Sequence, residues 1–64
     1  MIIKTNSNPI FNLTLTIDVN LKLEYINILV NLHNKNKNTM QTKQFFSDLK
    51  AALQYYENLE NMFI

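Results

Sequence analysis

The sequence predicts an α+β fold, mainly α, in which an amphipathic N-terminal strand precedes two antiparallel helices. Three observations predict it. Apolar and polar residues alternate strictly from Phe11 to Tyr25, the mark of a strand with one buried face. Apolar residues also recur at helical spacing twice, at 21–32 and again at 45–63. Between those runs lies a polar break, His33-Asn34-Lys35-Asn36-Lys37-Asn38. At 64 residues the chain is read as one domain, 1–64.

From the N-terminus, Met1–Lys4 reads as a short strand or as irregular chain. The turn-prone Asn6-Ser7-Asn8-Pro9 cluster permits a hairpin onto residues 10–18. Phe11, Leu13, Leu15 and Ile17 alternate with Asn12, Thr14, Thr16 and Asp18, which places a strand at about 11–18. The alternation runs past the usual strand length, so a change of element is expected near its end. Leu21, Tyr25, Ile28, Leu29 and Leu32 then share one face of a helix at about 20–33, with Asp18 or Asn20 as its cap. A second stripe, Leu23, Ile26 and Val30, leaves that helix apolar on two sides and in need of further cover. Residues 34–38 form a loop, where asparagine replaces the missing glycine in left-handed positions. Phe45, Leu49, Ala52, Leu53, Tyr56, Leu59 and Phe63 define a second helix at about 40–62, with Asn38 and Gln41 resembling a capping box.

Composition narrows the function. Six lysines, no arginine and five acidic residues give a net charge of +1. That supplies no strong global field toward nucleic acid or membrane. No run of 18 apolar residues exists for a span, and Met1–Lys4 is too short an apolar stretch for a signal peptide. A cytoplasmic protein is the expectation. Eleven asparagines with no arginine fit AT-rich codons, as in a phage, a plasmid or a low-GC bacterium. Without cysteine or glycine there is no disulfide and no glycine-rich phosphate loop. His33 stands alone, Ser47-Asp48 has no histidine in register, and Glu57 with Glu60 reads as a solvated face. No enzyme, metal or cofactor is expected.

A chain this small buries only about 60% of its unfolded surface. Self-association or docking is the expected remedy. The interface would use Leu13, Leu15, Ile17, Leu23, Ile26 and Val30. Phe46 joins them because adjacent Phe45 and Phe46 cannot share one helical stripe, and Phe63 because the chain ends on Met62-Phe63-Ile64.

The order strand, helix, helix, carried by Phe11–Asp18, the Leu21–Leu32 face and Thr42–Tyr56, resembles the ribbon–helix–helix family of DNA-binding repressors and antitoxins. The resemblance implies a homodimer whose strands pair between subunits into a ribbon that enters the major groove of double-stranded DNA. Asn12, Thr14 and Thr16 would then face the bases. Lys35, Lys37 and Lys43 would neutralise phosphate, and amides at about Asn38–Thr42, with Thr39 and Thr42, would hold one at a helix start. The family commonly carries Arg or Lys on that strand, whereas these positions are uncharged. The alternative expectation is a phage- or plasmid-encoded inhibitor that docks on a host protein through its sheet edge or an apolar helix face.

Overall fold

A computed structural model describes Met1–Ile64. The chain forms four strands, β1 (Ile2–Ser7), β2 (Phe11–Asn20), β3 (Tyr25–Asn34) and β4 (Thr39–Phe46), and then one helix, α1 (Leu49–Phe63). Consecutive strands pair antiparallel in the order β1-β2-β3-β4. The helix packs against β2, β3 and β4 on one side of the sheet, and no element covers the other side.

This corrects the expected mainly α fold. The helix expected over 20–33 is the β2–β3 turn followed by β3. Ile26, Ile28, Val30 and Leu32 alternate with Asn27, Asn31 and His33, and the branched residues among them favour an extended backbone. Ten unbroken rungs, from Phe11 opposite Asn34 to Asn20 opposite Tyr25, lock that choice. The first apparent helical stripe thus splits between the two faces of β3, Ile28 and Leu32 toward the core and Tyr25 and Leu29 away from it, while Ile26 and Val30 of the second share the core face. The helix expected over 40–62 is two elements. Thr39–Phe46 pairs with β3, Ser47 bends the chain, and Asp48 caps α1 by accepting from the Lys50 amide at 3.2 Å. Phe45 and Phe46 therefore point to opposite faces of a strand, Phe46 toward Tyr55 at 5.3 Å between ring centroids.

The core lies between sheet and helix. Leu13 and Leu15 of β2 and Ile28, Val30 and Leu32 of β3 meet Ala52, Tyr56 and Leu59 of α1. The helical residues fall at i, i+4 and i+7, one stripe of the helix. Phe11, Ile17, Phe46, Leu53, Tyr55 and Phe63 seal the rim. Polar ties pin the helix at several points. Asn6 Nδ2 donates to Glu60 Oε2 at 2.9 Å, Asn8 Nδ2 donates to the Phe63 carbonyl at 2.9 Å, and the Thr42 and Tyr55 hydroxyls lie 3.0 Å apart. Tyr56 is wholly buried and its hydroxyl has no hydrogen-bond partner, while Lys4 Nζ sits 5.0 Å from its ring centroid. Burial, and then the nearby Glu60 carboxylate, push the Tyr56 phenol above its ordinary pKa.

Asparagine makes the turns of a chain without glycine. Asn8 Oδ1 accepts from the amides of Ile10 and Phe11, Asn20 Oδ1 from Leu23, and Asn34 Oδ1 from Asn36 and Lys37. Asn38 adopts φ 52° in the β3–β4 turn, and Glu24 adopts φ 55° in the β2–β3 turn. Asn20 therefore closes a turn and caps no helix.

Candidate interaction surfaces

Element lengths create the first surface. A ten-residue strand spans roughly 33 Å, whereas a 15-residue helix spans roughly 22 Å. The helix ends beside Phe11, where the Phe63 ring packs edge-on at 5.1 Å between centroids. It begins just beyond Phe46, which stands opposite Ile28. The Met1 ammonium donates to the Ile17 carbonyl at 2.8 Å, and the Ile17 amide donates to the Met1 carbonyl at 2.9 Å, so β1 also stops at that level. Past the Ile17–Ile28 rung only β2 and β3 continue. Residues 18–27 thus form a two-stranded arm with nothing on either face, along a molecule 38 Å by 21 Å by 15 Å.

That arm is apolar. Val19, Leu21, Leu23, Tyr25 and Ile26 are each between 43% and 86% exposed. Val19 and Ile26 share a rung on the core side, Tyr25 faces the opposite side across from Asn20, and the two leucines sit at the tip. Val19, Asn20, Leu21, Glu24, Tyr25 and Ile26 line a shallow depression of about 290 Å³. A second open depression, about 510 Å³, lies on the outer side of α1 among Leu49, Lys50, Leu53, Gln54 and Glu57. Neither gathers catalytic groups, and no three His, Cys, Asp or Glu side chains come together to hold a metal.

The two sheet edges are blunted. In β1 the register slips between Ile2 and Lys4, and in β4 it skips Gln41 between Met40 and Thr42. Each edge strand thus combines a bulge with one lysine, Lys4 or Lys43, which discourages a further strand from adding.

The sequence-derived site residues separate. Leu13, Leu15 and Val30, expected at a subunit or partner interface, are fully buried inside the single chain, and Ile17, Phe46 and Phe63 are half-buried around them. Only Leu23 and Ile26 of that set are exposed, both on the arm. Asn12, Thr14, Thr16 and Lys43 share the uncovered face of the sheet, and Lys35 and Lys37 lie in the turn at its end. Thr42 faces α1, and Thr39 opens β4. No helix starts at Asn38–Thr42, so the helix-terminus phosphate site expected there has no dipole behind it. β2 is an interior strand, paired to β3 along its length and to β1 from Asn12 to Thr16, so the segment expected to form an intersubunit ribbon has no free edge there.

Sequence reasoning does not single out Val19, Leu21 and Tyr25 as a surface. The signal is present in the unbroken alternation through Leu21-Lys22-Leu23-Glu24-Tyr25, which is a strand pattern carried across a turn. No protein-family model, curated protein or solved structure matches the chain. No helix is long and apolar enough to cross a membrane.

Proposed function

We propose that this chain is a small, non-catalytic protein-binding module of the cytosol that acts by inserting its β2–β3 arm into an apolar groove of a partner protein. The carrying observation is the arm itself, five large apolar side chains exposed within ten residues on a rib that the protein's own helix does not reach. Exposed apolar patches rimmed by polar residues mark interaction sites. Arm residues Asp18, Lys22 and Glu24 supply such a rim. That rim is net negative, which suits a protein groove better than an anionic lipid surface.

A groove also fits the distribution of side chains. Val19 and Ile26 occupy one face of the arm and Tyr25 the other, so a flat two-fold contact with a second copy would cover only one side. A groove that encloses the rib covers both. The blunted β1 and β4 edges discourage strand addition along the body of the sheet, which leaves the arm as the docking element.

Photocrosslinking tests the proposal. A benzophenone side chain placed at position 21 or 23, in the cells that express the protein, should give one discrete adduct with another protein. The same group at position 57 should not. Identical adducts from all three positions, or an adduct only with a second copy of the chain, would overturn the groove-docking reading.

A further inference from the structure

The uncovered face of the sheet is a second surface, independent of the arm. Its side chains form three cross-strand rows, Ser7–Asn12–His33–Met40, Thr5–Thr14–Asn31–Lys43 and Ile2–Thr16–Leu29–Phe45. We infer that this face binds single-stranded nucleic acid, with Phe45 as the stacking platform, the Asn and Thr rows meeting base edges, and Lys35, Lys37 and Lys43 meeting phosphates.

Charge separation supports the inference. The three rows carry Lys43 and no carboxylate, and the turn at their end adds Lys35 and Lys37. The nearest acid along the face is Asp18, one rung beyond the third row. The other carboxylates are placed elsewhere: Asp48, Glu57 and Glu60 in the helical layer and Glu24 at the tip of the arm. A chain with a net charge of only +1 therefore has a cationic end to this face, toward the β3–β4 turn, which is the electrostatic requirement for a polyanion.

The polar groups on that face are also idle. Asn6, Asn8, Asn20 and Asn34 commit their side chains to turns and helix ties. Asn12, Thr14 and Thr16, by contrast, make no side-chain hydrogen bond within the chain, and the Asn31 carboxamide oxygen of the middle row is buried without a partner. Lys43 Nζ lies over the Phe45 ring, 5.5 Å from its centroid, so a base that stacks there takes that ring face from the ammonium and leaves the cation free for a phosphate. A base laid on Phe45 would have its phosphate within reach of that lysine.

Shape selects the single strand. Four strands about 4.8 Å apart make a face wider than the roughly 12 Å major groove, which admits a helix or a two-stranded ribbon. Duplex could touch only the lysines, whereas an unpaired strand can lie flat across all three rows.

The test is fluorescence anisotropy with a labelled twelve-nucleotide oligo-dT at about 50 mM salt. Saturable binding is expected, with log K falling against log salt at a slope of about −2, since each phosphate neutralised on a single strand contributes about −0.7. Phe45→Ala should weaken binding at least about fivefold, in keeping with the loss of one stacked base. Lys43→Gln should flatten the slope by about 0.7, and Glu57→Gln in the helical layer should change neither. Phe45 is exposed, so circular dichroism and melting should show both face variants folded. The inference is overturned by an absence of binding or by equal affinity for a duplex of the same length. Equal affinity for poly-glutamate, or a folded Phe45→Ala variant that binds like wild type, would overturn it as well.

Discussion

Val19 and Ile26 stand directly opposite each other across β2 and β3, on the same side of the sheet as Leu15 and Val30, yet are 53% and 55% exposed. One same-face rung earlier, Ile28 is buried. The strand pattern is identical at the two rungs, and what differs is the reach of α1. Burial on this face is therefore set by helix length, and the surplus strand becomes surface.

The two rungs should respond differently to substitution. Ile28→Ala opens a cavity under the helix and should cost about 2–5 kcal/mol, lowering the melting temperature by roughly 10 °C or more. Val19→Thr with Ile26→Thr keeps strand-forming side chains and removes only exposed apolar surface. Its urea midpoint should lie close to wild type, while binding of the hydrophobic dye ANS falls.

Turn conformation supplies a second prediction. Glu24 occupies left-handed backbone at φ 55° in a chain that has no glycine to place there. That region costs a Cβ-bearing residue roughly 1–2 kcal/mol, and asparagine tolerates it better. Glu24→Asn should raise the urea midpoint by the equivalent of about 0.5–1 kcal/mol. Asn38→Val, at φ 52°, should lower it by a similar or larger amount.

The third prediction concerns alkaline pH. The Tyr56 phenol is pushed above its ordinary value near 10, first by burial and then by Glu60. The folded state thus holds its proton where the unfolded chain has released it, and stability declines as pH rises above about 10. Tyr56→Phe should remove this residue's share of that decline. Because the hydroxyl is buried without a partner, the same change should leave stability at pH 7 equal or higher. Thermal melts of both proteins from pH 8 to pH 11 check both outcomes.

Part of the molecule is legible in the residues. The alternation from Phe11 to Ile17 names β2 and its buried face, and Ala52, Tyr56 and Leu59 name the inner stripe of α1. The path between them is not. Leu21, Tyr25, Ile28, Leu29 and Leu32 satisfy a helical period, while Ile26, Ile28, Val30 and Leu32 satisfy a strand period, and the ladder with β2 decides between them. The β2–β3 turn has no glycine or proline to mark it, because Asn20 and a left-handed Glu24 make it. Ser47-Asp48 marks a helix start, but Phe45 upstream keeps helical spacing and conceals it. On the uncovered face, Asn12, Thr14 and Thr16 are neighbours by alternation alone, whereas Asn31, Lys43 and Phe45 join them only through the pairing of β2, β3 and β4.

The most direct measurement is the affinity of the arm-crosslinked partner for wild type and for Leu21→Ser with Leu23→Ser. Both leucines are exposed in the free protein, so the variant should melt like wild type. Burial of a large aliphatic side chain is worth about 1.5–3 kcal/mol, so binding should weaken on the order of 100-fold or more. A folded variant that binds within about threefold of wild type, a difference under about 0.7 kcal/mol, would contradict docking through the arm.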